Sequence, residues 1–322
     1  MSTFRIASMA LALLAAVPVS QAAVTYPSRP VRLVVPFAPG GGTDFYSRLI
    51  AQRLSETLGQ QFVVDNRPGA GSTIGSEYVA KSPGDGYTFL MTSSSFTFNP
   101  ALYPKLRYDS VKDLAPVSMV VSVPHVIVVH PALPVKNVRD LVALAKSKPG
   151  QLAYGSTGSG GSAHLMGETL KAMAGIDVAH VPYKGLAPAL TDVMSGQLSF
   201  TFGTQLALEG PLKTGRVRAI AVTGKTRMQT LPDLPTIAEA GYADYDMTAW
   251  WGVAVPVRTP RSLVNRLHDD VVRILAMQDV RERLAAQGIE VAATTPQQFE
   301  TFLHSEIARW GKAVKQSGAK PD

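Results

Sequence analysis

The stretch that most limits what this chain can become is Val31-Arg32-Leu33-Val34-Val35-Pro36-Phe37-Ala38-Pro39-Gly40-Gly41-Gly42-Thr43-Asp44, an apolar strand running through three glycines into a helix. Glycines at such a junction allow positive φ and leave main-chain amides uncovered. Phe45, Leu49, Ile50, Leu54 and Leu58 share one helical face, with Thr43 or Asp44 as cap and Gly59 just past the end. The junction is either a tight turn or an anion seat. Unpaired first-turn N–H groups and the positive end of a helix favour a carboxylate or phosphate by about 0.3–1 kcal/mol in an exposed site. Neither a dinucleotide fingerprint nor a Walker loop is present. The nearest Walker-like piece, Thr223-Gly224-Lys225-Thr226, has Ala219 where the first glycine belongs, so it reads as a strand end with a basic turn.

Strands at 61–64 and 87–91 with a helix at 73–81 make the first segment βαβαβ, hence a parallel sheet. Ligands sit outside the carboxyl ends of such strands, which selects the loops 38–43 and 92–96, with the triple serine Ser93-Ser94-Ser95, Ser94 and Ser95 foremost, as hydroxyl donors. A second βα series starts near Pro124. Its strand at 151–154 leads into Gly155-Ser156-Thr157-Gly158-Ser159-Gly160-Gly161-Ser162, a second glycine-rich loop opening a helix. The alternating strand Leu198-Ser199-Phe200-Thr201-Phe202 ends at Gly203-Thr204-Gln205, a third candidate loop. Residues 248–255 read as a strand carrying the chain back, and helices at 260–276, 279–287 and 296–316 then pack on the first lobe. Two crossings between lobes make a hinge. The expected division is a leader at 1–22, one lobe from 23–123 plus 246–322, and another from 124–245.

A chain of 322 residues, 46% hydrophobic, buries enough for two lobes. Its start has the tripartite shape of a cleavable secretory signal, with cleavage expected after Ala22, and no later stretch is apolar enough to span a bilayer. The mature chain is therefore expected in the periplasm, without a membrane anchor. Cysteine is absent, which removes disulfides, thiolate metal sites and a cysteine nucleophile. The net charge is +7, or +6 once Arg5 leaves with the signal (30 basic minus 24 acidic). That balance attracts anions mildly. The basic residues are scattered, which speaks against a nucleic-acid surface.

Catalytic patterns are missing. None of His125, His130, His164, His180, His268 and His304 has metal-ligand spacing, so no metal or cofactor is expected. The nucleophile elbow fails too: His164 stands where Gly160-Gly161-Ser162-Ala163 would need a final glycine. The alternative readings are a secreted hydrolase using Ser162 and His164 and a ligand sensor without transport. His164 can reach the cleft or brace backbone, and Asp44 can read a ligand or stabilise its own helix. Trp250 and Trp251 point to opposite strand faces, one into the core and Trp251 toward the cleft. Phe37 has the same two options.

Together these residues resemble the substrate-binding receptors of tripartite tricarboxylate transporters, the Bug receptors. The likeness spans the mature chain: Tyr26-Pro27-Ser28-Arg29-Pro30, Val35 to Asp44, Asn66-Arg67-Pro68-Gly69-Ala70-Gly71, Asp85-Gly86-Tyr87-Thr88, Asn99-Pro100-Ala101-Leu102-Tyr103, His180-Val181-Pro182-Tyr183-Lys184-Gly185 and Leu231-Pro232-Asp233-Leu234-Pro235-Thr236. The resemblance implies an α/β, two-lobed, type II periplasmic-binding fold, each lobe a mainly parallel sheet flanked by helices. It implies a monomer whose lobes close on a small organic acid. One carboxylate is then held by amides and ordered water at Phe37, Ala38, Gly41, Gly42, Thr43 and Asp44, and met from the other side by Ser156, Thr157, Gly158, Ser159, Gly160 and Ser162. It also implies delivery to two integral membrane subunits driven by an ion gradient, with no catalysis. Ser47 and the bulky Phe45-Tyr46 depart from the family pattern and bear on ligand identity.

Overall fold

The structure, a computed structural model, describes residues 26–317; the leader expected at 1–22 lies outside them. The chain opens β1 (Val31–Val35), α1 (Gly42–Leu58), β2 (Phe62–Asn66), α2 (Thr73–Ala80), β3 (Thr88–Ser93), α3 (Ser95–Leu102) and β4 (Leu114–Pro124). The second lobe follows as β5 (Val126–Val129), α4 (Val138–Ser147), β6 (Ala153–Ser156), α5 (Ser162–Ala174), β7 (Ala179–Pro182), α6 (Leu186–Met194), β8 (Phe200–Gly203), α7 (Gln205–Lys213) and β9 (Arg218–Val222). The chain then returns through β10 (Thr248–Pro256), α8 (Arg261–Leu275), α9 (Gln278–Ala285), β11 (Glu290–Val291) and α10 (Pro296–Ser317).

Periodicity explains most of this. α1 buries Tyr46, Leu49, Ile50 and Leu54 on one face, each such side chain contributing about 1.5–3 kcal/mol of hydrophobic stabilisation, and stops at Gly59 in the left-handed region. Trp250 lies in the core against Phe299 and Phe302 of α10, with ring centroids 5.4 and 5.5 Å away. Three elements depart from the sequence reading. α3 starts at Ser95 inside the expected serine loop. β4 and α7 were not foreseen, because prolines at 116 and 124 in β4 and Gly210-Pro211 in α7 break the signals that mark strands and helices.

The sheets run β11-β4-β10-β3-β1-β2 and β7-β6-β8-β5-β9. Each sheet is mainly parallel in strand direction, as expected, with a minority of strands reversed. β1 is parallel to β2 and β3, and β6 to β7 and β8, whereas β10 runs against β3 and β4 and β5 runs against β8 and β9. The reason is topological. The βα strands of each lobe end at the cleft, so a strand entering from the other lobe starts at the cleft and must point away from it.

The chain crosses between sheets at His125 and again between β9 and β10. Thr223 joins the two crossings. Its Oγ1 accepts the His125 N–H (2.8 Å) and donates to the Met247 carbonyl (2.7 Å), while its N–H donates to the His125 carbonyl and its carbonyl accepts the Met247 N–H, both at 2.8 Å. Thr223 is fully buried. Beside it the His125 ring lies nearly parallel to Trp251, 10° apart with centroids 6.5 Å away. Burial pushes the imidazole pKa down to about 4 against a small opposing effect of the Val123 carbonyl.

Two outcomes follow from this hinge. Thr223→Val leaves a buried N–H and a buried carbonyl without their shared partner, so denaturant unfolding should show a loss of about 1–3 kcal/mol. The unfolded chain protonates His125 near pH 6.5 and the folded one only near pH 4, so the stability it confers is complete above pH 6.5 and lost as pH falls to 4. Comparing stability at pH 7 and pH 4, His125→Phe should remove roughly 3 kcal/mol of the wild-type decline; an unchanged decline refutes the assignment.

Candidate functional site

Because the βα strands of both sheets end at the same cleft, their exit loops face one another there. A cavity of about 330 Å³ lies between them. The first lobe lines it with Phe37 to Thr43, Ser93 and Trp251, the crossing with His125, and the second lobe with Thr157, Ser162, Ala163, Lys184 to Pro188, Leu190, Phe202 to Thr204 and Ala207.

Three helices begin at this lining: α1 after Gly41, α5 after Gly161 and α6 after Gly185. None of these glycine N-caps makes a side-chain cap bond. Their opening residues, Gly42 and Thr43, Ser162 and Ala163, Leu186 to Pro188, belong to the cavity wall. First-turn amides without a cap need an outside acceptor, and aligned helix dipoles make that acceptor preferably negative. The expected cap at Thr43 or Asp44 is thus replaced by Gly41, two residues before Thr43. Thr43 instead accepts a 2.7 Å hydrogen bond from Trp251 Nε1, which fixes the indole against the loop. An added Cβ at Gly42 would sit 3.3 Å from the Trp251 ring, a contact that would press on the indole.

Of the residues singled out from the sequence, the lining brings together Phe37, Ala38, Gly41, Gly42, Thr43, Thr157, Ser162, Gly203, Thr204 and Trp251. The others stand behind it. Asp44 receives hydrogen bonds from Arg48 (2.8 and 3.0 Å), Asn66 (3.0 Å) and the Gly40 N–H (3.2 Å). Burial alone would raise its pKa, but those bonds outweigh it and hold the carboxyl below its ordinary value. It shapes the glycine loop from outside. Ser94 accepts the Trp250 N–H at 2.9 Å, and Ser95 bonds to the hydroxyls of Ser72 and Ser93. The serine at the wall is Ser93, the last residue of β3.

In the second loop, Ser156 is buried, pairs with His180 Nε2 at 2.7 Å and accepts the Gly158 N–H. Gly158 and Ser159 line a neighbouring cavity of about 430 Å³. Gly160 lies against the first lobe, where an added Cβ would sit 2.6 Å from Leu102 Cδ2 and where φ is +77°. His164 Nδ1 accepts the Gly160 N–H at 3.0 Å, and its ring stacks on His180 with centroids 4.0 Å apart. Thr204 caps α7 through the Ala207 N–H while still facing the cavity.

Sequence reasoning passed over His125 and the start of α6; of the triple serine, Ser93 is the one at the wall. The glycine at 185 before Leu186-Ala187-Pro188 was a usable signal, of the same kind as Gly42 and Gly161. Among the described residues no group of three or more His, Asp or Glu side chains is placed to hold a metal ion, and no helix is long and apolar enough to cross a membrane.

The sequence profile described as tripartite tricarboxylate transporter family receptor (TctC) matches residues 46–319. Protein BugT of Bordetella pertussis is 38% identical over 307 residues, 95% of this chain and 94% of BugT. Among solved structures, R. palustris Rpa4515 with adipate aligns with a TM-score of 0.88 at 40% identity, covering 92% of this chain and all (100%) of that one. MatC (Rpa3494) from Rhodopseudomonas palustris with bound malate aligns with a TM-score of 0.85 at 31% identity, covering 90% and 100%. The family profile covers most of the chain and BugT is 38% identical along nearly the whole length of both proteins, so the chain belongs to the tripartite tricarboxylate transporter family of receptors.

Proposed function

We propose that this protein is a periplasmic receptor that captures a small organic carboxylate in the cleft and hands it, without transforming it, to the two integral subunits of a membrane transporter. The single observation that carries the ligand class is the convergence of three helix starts without side-chain caps on one cavity. Adipate and malate in the two solved relatives support the same class. We assign the lobes to 23–123 plus 246–322 and to 124–245, with Thr223 and His125 as the hinge. Closure about that hinge lets the amides of Gly41 to Thr43 and the hydroxyls of Ser93, Thr157 and Ser162 engage one acid together, and creates the surface the transporter meets. A leader at 1–22 accounts for export.

The hydrolase alternative gains little support. Ser162 faces the cavity, but Nδ1 of His164 already accepts a main-chain N–H and its ring is stacked away from the lining. A general base has to reach the nucleophile it activates.

Thermal unfolding with adipate or malate at about 100 times the dissociation constant should register some 2.7 kcal/mol of stabilisation, while neutral sugars leave the melting temperature where it was. A response to sugars and to no acid overturns the reading. Gly41 offers a second check, because its backbone is extended and an added Cβ meets nothing within 4 Å. Gly41→Leu should therefore cost no more than the roughly 1 kcal/mol that a poor N-cap residue brings and, by filling the space before the α1 amides, abolish the acid-induced shift.

A further inference from the structure

Lys184 directly precedes Gly185, the N-cap of α6. It lines the cleft cavity and also the neighbouring one, which shares Phe37, Ala38 and Thr157 with it. Among the described residues lining the cleft cavity, Lys184 is the one lysine or arginine, and neither Asp nor Glu lines it. No ion pair between described residues involves it. Much of the remaining wall is apolar, with Leu186, Pro188, Leu190, Phe202 and Trp251. A buried polar atom without a hydrogen-bond partner, Nδ1 of His125, belongs to a residue of the same lining.

Charge in this cavity is therefore one-sided. Main-chain donors of α1 and α5 can hold one carboxylate, and Lys184, in the turn that leads into α6, adds a cationic side chain from a separate part of the lining. An ammonium group on the ligand finds the opposite situation. It would leave water without a counter-charge, near a like charge and three positive helix ends, and a neutral imidazole nitrogen does not neutralise it. We propose that Lys184 is a specificity-determining residue: it takes a second anionic group of the ligand, and the same lining rejects an acid that also carries an amino group. This rests on the carboxylate-receptor reading above.

The test is calorimetric binding to the purified protein of succinate, glutarate and adipate, each beside its 2-amino derivative (aspartate, glutamate, 2-aminoadipate) and its monoacid (butyrate, pentanoate, hexanoate). At the chain length that binds best, the diacid should bind at least about tenfold tighter than both partners, as expected for a charge-assisted bond gained or a charge left unpaired. K184M should erase the preference of diacid over monoacid, and K184R should keep it. Lys184 is exposed, so its replacement leaves the fold intact, which circular dichroism checks. An amino derivative equal to the diacid, or a diacid preference that survives K184M, overturns the inference. Tight acid binding that ignores Lys184 removes this inference alone, whereas no binding by any of the acids removes the carboxylate reading with it.

Discussion

A helix that supplies no side chain to its own first amides needs an acceptor from elsewhere, and in this protein three such helices begin at one cavity. α1, α5 and α6 each begin after a glycine, so their N–H groups open onto the space between the lobes. Buried main-chain donors left unpaired are costly. The arrangement is tolerable because the cleft admits water or an anion, and it makes a small acid the natural occupant. Much of the surrounding detail serves to hold those starts still: Asp44 ties Gly40 and Arg48 behind the first loop, His164 and Ser156 tie Gly160 and Gly158 within the second, and Trp251 pins Thr43.

The same constraint gives the sheets their mixed character. If ligands are to meet the carboxyl ends of strands in both lobes, each lobe has to point its βα strands at the other, and the connecting strands then have no choice but to run back. β10 and β5 are those strands. Where they begin, the two crossings lie side by side and Thr223 bonds to both, so any relative motion of the lobes bends around a hydrogen-bonded point rather than a slack linker. His125 belongs at once to that point and to the cavity lining.

Much was legible beforehand. The glycine loops at 40–42 and 155–161, the strand ends that precede them and the return strand with Trp251 toward the cleft all follow from local pattern. The motifs along the chain pointed to the receptor family. Local pattern also misled where two roles share one residue type. Ser94 and Ser95 looked like ligand donors and instead pair with Trp250, Ser72 and Ser93, because α3 begins one residue after β3 ends. Asp44, which along the chain could read a ligand or stabilise its own helix, is engaged on both oxygens by Arg48 and Asn66.

What the amino-acid sequence determined by itself is the set of elements and the bare amides at their junctions, since glycine, strand and helix signals act within a dozen residues. What the tertiary structure alone decided is which of those amides and hydroxyls face one cavity, because that depends on strand order, on the reversed crossings and on hydrogen bonds between residues as far apart as Thr43 and Trp251. Lys184 illustrates the division: an ordinary lysine in a turn when read along the chain, it lines the ligand cleft only because α6 starts where two lobes meet.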